Sequence, residues 1–226
     1  MDERADLAGV WPLFGLSVRT PRVELRYPTD ADLLALAALS GDIHDPDFLP
    51  FSGTWSLLAD GVREQAVLQY HWSRRGDWSP TRWRLELVAV VEGKVVGTQG
   101  AFADDFAITR TLTTGSWLGR AHQGKGIGTE MRAAVLHLAF AGLGAERAQT
   151  DAVDDNGPSL RVTTKLGYQP NGDQVDATNG KRTRLLRFVL DRTGWEGIRR
   201  TDIAVVGLDP CLPLFGLGTP KDDAVA

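Results

Sequence analysis

A mixed α/β fold is predicted by three features of the chain. An alternating apolar segment turns back on itself at Glu92-Gly93. A glycine-rich loop at 123–128 opens the most regular amphipathic helix. Downstream of that loop the order runs helix, strand, helix, strand, the signature of layered α/β packing.

The elements follow in order. Residues 1–16 read as an N-terminal arm, residues 17–192 as one domain, and residues 193–226 as a C-terminal extension packing on the domain or on a dimer partner. Val23, Leu25 and Tyr27 alternate with Glu24 and Arg26, a half-buried strand that Pro28 stops. Thr29 stands three before Asp32, a capping box for a helix through Leu39, with Gly41 at its end. The run 44–51 carries too much proline for a regular element and reads as an aromatic, charged loop. A helix over 60–75 places Val62, Ala66 and Tyr70 on one stripe, and Gly76 can close it. Trp83, Leu85, Leu87, Ala89 and Val91 form one arm of the hairpin, and residues 94–102 form the other. A loop at Asp104 and Asp105 leads into a threonine-rich strand over 108–118. After the glycine loop, Ile127, Met131, Val135 and Leu138 share one helix face, with Glu130, Arg132 and His137 off it. Residues 147–153 read as a strand, 155–159 as a helix start, 165–167 as that helix's end, and 182–190 as the last strand.

Composition narrows the function. A chain of 226 residues with 42% hydrophobic and 24% charged residues has the profile of a soluble globular domain. Its 25 basic and 29 acidic residues leave a net charge of −4, which argues against nucleic acid or an anionic membrane as partner. The longest apolar stretch, 133–143, is broken by His137 and Gly142 and is too short to span a bilayer. The lone Cys211 cannot form an intrachain disulfide, so a cytoplasmic setting is expected and a structural role is favoured over a nucleophilic one. No metal site is expected.

Gly124, Gly126 and Gly128 sit between a predicted strand and a helix, where exposed amides meet the positive end of a helix dipole. Such a turn accepts phosphate oxygens, because no Cβ holds them off. Residues 119–125 satisfy seven positions of a nucleotide-hydrolase P-loop, but Gly126 stands where a Ser or Thr must bind Mg²⁺. A dinucleotide fingerprint fails as well, since Thr129 stands where a third glycine is required. A glycine turn without a ligand is the plain alternative.

Gln123-Gly124-Lys125-Gly126-Ile127-Gly128 resembles the Gln/Arg-x-x-Gly-x-Gly/Ala signature of the GNAT N-acetyltransferase superfamily at every defined position. Asn156-Gly157-Pro158-Ser159 with Lys165-Leu166-Gly167-Tyr168 resembles that family's second block. Ser116-Trp117-Leu118 resembles the strand ending of its ribosomal-protein N-terminal acetyltransferase branch, and the His44 to Phe51 run resembles an actinobacterial subgroup with a succinyl-transferring member. The resemblance covers about residues 20–190. It implies a central, mostly antiparallel sheet of about six or seven strands, splayed between the fourth and fifth and flanked by helices.

The resemblance also implies an acyl-CoA-dependent N-acyltransferase using acetyl-CoA or succinyl-CoA and a primary amine of a small molecule or peptide, with a homodimer in prospect. The pyrophosphate would lie on Gln123, Gly124, Lys125, Gly126, Ile127, Gly128 and Thr129. The pantetheine arm would meet the backbone of Trp117 and Leu118, with Asn156 as a further contact and helix cap. Ser159 matches the position of a donor to the leaving thiolate, and Tyr168 is the second candidate. Many relatives carry a Glu base where this chain has Thr113, so Asp151 becomes the base candidate, with His122 and Asp105 behind it. His44, Phe48, Phe51 and Trp55 are the acceptor-side candidates, and Arg74, Arg82 and Arg84 are the cations that would read a succinyl carboxylate. The missing Glu also motivates a second reading, a catalytically silent acyl-CoA-binding module.

Overall fold

The computed structural model describes residues 3–45 and 47–218; residues 1, 2, 46 and 219–226, parts of the expected arm, loop and extension, lie outside the described residues. Its centre is one sheet of nine strands in the order β7-β8-β6-β5-β4-β3-β2-β1-β9. The strands are β1 (Ser17–Arg19), β2 (Glu24–Arg26), β3 (Arg82–Val91), β4 (Lys94–Asp104), β5 (Thr111–Leu118), β6 (Arg147–Val153), β7 (Gln169–Thr178), β8 (Lys181–Asp191) and β9 (Ala204–Val206). Every pairing is antiparallel except β5 with β6. The helices are α1 (Glu3–Ala8), α2 (Asp30–Leu39), α3 (Val62–Gly76), α4 (Phe106–Thr109), α5 (Ile127–His137), α6 (Gly157–Lys165) and α7 (Arg192–Glu196).

The mixed α/β expectation holds, and the count of six or seven strands rises to nine. β7 escaped because its residues are exposed along almost the whole strand, so no apolar alternation marks it. The strand expected from Ile108 starts at Thr111, because Phe106–Thr109 closes a short helical turn that buries Phe106.

Local signals account for several boundaries. The Thr29 hydroxyl accepts from the Asp32 amide and the Asp32 carboxylate accepts from the Thr29 amide, a complete capping box at the start of α2. Gly41 lies just beyond this helix and leaves room for Arg63, whose Nη2 lies 2.8 Å from where a Cβ would stand. Glu92 and Gly93 both adopt positive φ (50° and 76°), the tight turn that joins β3 to β4. The Asn156 side chain accepts from the Ser159 amide and starts α6.

Two layers of core lie on either side of the sheet. On one face the main core joins α5 to Trp83, Leu85, Leu87 and Ala89 of β3 and Leu112 and Leu118 of β5 in a single cluster. On the other, α2 and α3 cover Val88 and Val90 of β3 through Leu33, Leu36, Ala37 and Val67, with Trp117 at the margin.

Helix faces differ from the sequence pattern where polar side chains are buried. In α3 the buried stripe is Arg63, Val67 and His71, one residue on from the expected Val62, Ala66 and Tyr70. Arg63 is buried because its guanidinium is satisfied by Ser40, the Leu58 carbonyl, Asp60 and Glu64. In α5 Glu130 and Arg132 are buried as well, with partners described below.

The ends of the chain enter the main core. Leu13, Phe14 and Leu16 are buried ahead of β1, and Trp195, Ile203, Cys211, Phe215 and Leu217 are buried behind β8. β9 pairs with β1, and the Phe215 ring meets Trp78 and Trp83 edge-on at 5.5 and 5.0 Å. The apolar side chains of the tail that pointed to a dimer partner are thus largely taken up within this chain. Burial raises the Cys211 thiol to about 11, which suits a packing residue and not a nucleophile. Phe215→Ala is expected to lower stability by about 3–5 kcal/mol, read as a shift of the urea unfolding midpoint; a wild-type midpoint would contradict this packing.

Candidate active site

The site starts where the sheet splits. β5 and β6 pair only at Thr111 with Arg147, Leu112 with Ala148 and Thr113 with Gln149. Beyond that point β5 stays on β4 through Leu118, while β6 stays on β8 through Val153, so the strands diverge. Side chains then bridge the gap. The Thr150 hydroxyl donates to the Thr114 carbonyl (3.1 Å), and the Thr114 hydroxyl donates to the Gln149 carbonyl (3.3 Å).

Arg132 comes up from α5 into this fork. Its Nη1 donates to the Thr150 hydroxyl and its Nη2 to the Ser116 hydroxyl, both at 3.1 Å, so one guanidinium touches both diverging strands. The residue is 4% exposed and has no carboxylate partner among the described residues. Beneath it, the Tyr168 hydroxyl lies 3.4 Å from the Thr114 hydroxyl, and burial raises its pKa above the ordinary tyrosine value.

The ladder also determines which backbone groups face the gap. The Gly119 amide bonds the Val96 carbonyl at 3.0 Å. By antiparallel alternation Trp117 therefore turns its N–H and C=O toward β4, and Ser116 and Leu118 turn theirs toward the opening. The Trp117 backbone, expected to face the opening, is directed to β4, and the Leu118 carbonyl accepts from the Gln123 side chain (2.8 Å).

The glycine loop follows directly. Gly124 and Gly126 hold φ of 72° and 80°, a region that disfavours any Cβ, and the space where a Gly124 Cβ would stand is open. The first α5 amide bond is Glu130 to the Gly126 carbonyl (3.1 Å), so the amides of Ile127, Gly128 and Thr129 have no helical acceptor. Ile127 buries its side chain and anchors the turn, while Lys125 and Gln123 are exposed. The amide nitrogen of Gln123, a residue expected to contact the pyrophosphate, donates to the Ile43 and Leu118 carbonyls and ties the aromatic loop to the glycine loop.

A carboxylate in the first turn of α5 would repel a phosphate, and the fold neutralises it. Glu130 accepts from the Thr20 hydroxyl (2.6 Å) and from the Arg22 amide and Nε. Burial alone would raise its pKa, but these bonds outweigh burial and hold it below the usual range. Arg22 also donates to the Lys125 carbonyl (3.1 Å), and its Nη2 stands 3.4 Å from where a Gly126 Cβ would be. Arg22, Glu130 and Arg132 did not stand out in the sequence; the available signal was a pair of charges within an otherwise apolar helix. These features leave a cradle of main-chain donors backed by a guanidinium, which fits a diphosphate.

The remaining candidates divide between the two faces. Ser159 lies in the first turn of α6, half-buried, and among the described residues its hydroxyl has no partner within the chain. Asn156 also donates to the Pro50 carbonyl (3.2 Å), which fastens the aromatic loop to the β6 side of the opening. On the face covered by α2 and α3, His44, Phe51, Trp55 and Trp117 form a chain of ring contacts at 5.8, 5.2 and 5.8 Å. His44 is fixed by Ser56 (2.8 Å), whereas Phe48 stays outside this chain. Asp151 alternates with the inward-facing Thr150, so it lies on this same face; it is exposed, yet the atoms around it displace enough water to raise its pKa. Asp105 sits at the far end of β5 from the glycine loop, and His122 lies in the turn before it.

A cavity of about 430 Å³ opens on that face, lined by Arg84, Phe102, Thr113 and Gln149 among others. Arg84 is held bidentately by Asp104 at 3.0 Å, and Arg82 also approaches Asp104 at 3.8 Å. Arg74 lies over the Tyr70 ring at 4.6 Å.

Comparison with known proteins agrees with this geometry. A family model described as the acetyltransferase (GNAT) domain matches residues 22–169. A GCN5-related N-acetyltransferase from Brucella melitensis superposes with a TM-score of 0.65 at 17% identity, covering 81% of each chain. Mycobacterium smegmatis RimJ in complex with CoA-disulfide gives 0.62 at 19% identity, covering 78% of this chain and 86% of that one. RimL, a ribosomal L7/L12 α-N-protein acetyltransferase in complex with coenzyme A, gives 0.61 at 17% identity over 76% and 95%. No helix among the described residues is long and apolar enough to cross a membrane. With the glycine loop, the split sheet and the family match in agreement, the chain belongs to the GNAT acetyltransferase family, whose members take acyl groups from coenzyme A.

Proposed function

We propose that this protein transfers an acetyl group from acetyl-CoA to a primary amine of a small molecule or a peptide, by direct attack within a ternary complex. The observation that carries the reading is the continuity of the β5–β6 opening with the amides of residues 124–129. A nucleotide diphosphate on those amides has its arm beside the diverging strands, whose unpaired backbone groups can take it. Arg22 and Lys125 supply positive charge beside the cradle.

Within the opening, the Ser116 and Leu118 amides are the main-chain donors for the arm and for the thioester carbonyl. A donor aimed at the oxygen where charge develops contributes about 3 kcal/mol in measured cases. Ser159, with its unengaged hydroxyl, is assigned as proton donor to the departing thiolate. Tyr168 is assigned a supporting role, since it is buried against Thr114 below the fork. Asp151 lies on the acceptor face and His44, Phe51, Trp55 and Trp117 wall it, so this face takes the amine.

A succinyl donor would need an unpaired cation near its carboxylate. Arg82 and Arg84 share Asp104, which leaves Arg74 as the candidate without an ion-pair partner among the described residues. Two of the three candidate cations are thereby occupied, which supports acetyl as the transferred group.

Release of free thiol from acetyl-CoA in the presence of a panel of amines and peptide N-termini tests the proposal. Turnover with at least one acceptor is expected, slower with succinyl-CoA; measurable CoA binding without turnover on any acceptor would favour a silent binding module. Ser159→Ala should lower kcat by about 100-fold with the acetyl-CoA dissociation constant unchanged, and an unchanged kcat would remove the residue from its role. Gly126→Trp places bulk in the cradle at a φ of 80°, so its CoA dissociation constant by calorimetry should rise at least about 100-fold through lost phosphate contacts. Wild-type affinity in that variant would refute the loop assignment.

A further inference from the structure

Resting on the acyltransferase reading above, we infer that Phe102 of β4 determines which amines reach the thioester, and that the acceptor carries its amine on an unbranched methylene.

Phe102 stands beside the split. It pairs with Thr113, and Thr113 with Gln149 is the last β5–β6 pair. All three line the cavity on the acceptor face. Strand alternation puts Thr113, Gly115 and Trp117 on that face of β5. Gly115 is therefore the first acceptor-face residue beyond the split. It also precedes Ser116, whose amide is assigned to the thioester. An amine that attacks from this face arrives over Gly115.

No side chain of its own stands there. Gly115 pairs with Gly100, so two adjacent strands lack a Cβ in the same row. Neither glycine adopts a positive φ, so backbone conformation does not call for glycine at either position. Glycine within a strand gives up packing and marks a close approach, and here the group that approaches is Phe102. Its ring leans along the sheet until Cζ and Cε1 lie 2.3 and 2.7 Å from where a Gly100 Cβ would stand, with Cε2 at 3.5 Å from a Gly115 Cβ. A Cβ at position 100 could not coexist with that ring position. The bare row thus lets the ring lean over it and keeps it from standing up in front of the split.

The neighbours bound what remains. Along β5, Trp117 stands on the other side of Gly115, with its ring 5.8 Å from that of Trp55. Toward β3 the row ends at Glu86, which is buried and held by the Tyr70 hydroxyl. A passage one side-chain position wide is left, leading from the cavity at Thr113 and Gln149 to the space over Gly115, with aromatic surface on two sides. A methylene next to the nitrogen passes between those rings. A branched carbon there brings its second substituent against Phe102.

The test compares kcat/KM, at saturating acetyl-CoA, for primary amines on a methylene and for their α-methyl analogues of equal charge. Wild type should favour the unbranched amine by at least about tenfold, the discrimination one such carbon supports. Phe102→Ala should lower that preference at least about tenfold, with the acetyl-CoA dissociation constant within twofold of wild type. Gly100→Ala should displace the ring and lower kcat/KM for the unbranched amine at least about tenfold. Combining the two substitutions should restore the Phe102→Ala value. A Gly100 Cβ would also stand 3.0 Å from Glu86 Oε2, so a double variant as slow as Gly100→Ala would trace the loss to Glu86 and overturn the role of the ring. If Gly100→Ala does not fold, Phe102→Ala decides alone. An unchanged preference in that variant, or a wild type that favours the branched amine, overturns the inference while turnover upholds the acyltransferase reading. A wild type without turnover on any amine overturns both.

Discussion

The structure depends on an interruption. β5 and β6 are parallel neighbours for three residue pairs and then separate, leaving two runs of backbone donors and acceptors without a strand between them. Unpaired main-chain groups in a sheet interior are costly unless something else bonds them. Here the Thr114 and Thr150 hydroxyls close the first gap and Arg132 holds the next. An arginine in that position is an expensive choice, since its charge is buried against hydroxyls and not a carboxylate. It fits a fork that must stay open: a carboxylate there would pull the guanidinium away, and an apolar residue would leave Thr150 and Ser116 free to close the gap. Burial raises the pKa of both Asp151 and Tyr168, and the same charge offsets part of that rise, at Asp151 together with the larger effect of Arg187.

The glycine loop is oriented by a second polar assembly. Thr20 and Arg22, ahead of β2, engage Glu130 in the first turn of α5, and Arg22 also bonds the Lys125 carbonyl. The loop carbonyl is thereby engaged from behind, and the amides are left to the outside. The aromatic loop is tied to both banks of the opening, to Leu118 through Gln123 and to the start of α6 through Asn156. Acyl donor and acceptor are thus assigned to opposite walls of one channel.

Local chemistry was readable in the sequence. The capping box of Thr29 and Asp32, the Glu92-Gly93 turn, the Asn156 cap and the positive-φ glycines each depend on a few adjacent residues, and each forms as expected. Features that depend on distant partners were not readable. Arg63 and His71 occupy a core stripe that hydrophobicity assigned to Val62 and Tyr70, because the partners of Arg63 come from the segment before α3. β7 is held by β8 and carries no apolar alternation of its own. Glu86 looked like the polar half of an alternating strand, yet its row faces α3 and is buried. The backbone that faces the opening belongs to Ser116 and Leu118, a distinction set by register and invisible to spacing.

The central claim is that coenzyme A lies on the amides of residues 124–129 with its arm in the β5–β6 fork. Amide proton–nitrogen correlation spectra recorded during titration with coenzyme A test it most directly. The account predicts that the largest shifts fall on Gly124, Gly126, Ile127 and Gly128, with Ser116 and Leu118 moving in step. Saturable binding that leaves these amides in place and shifts another surface would contradict it.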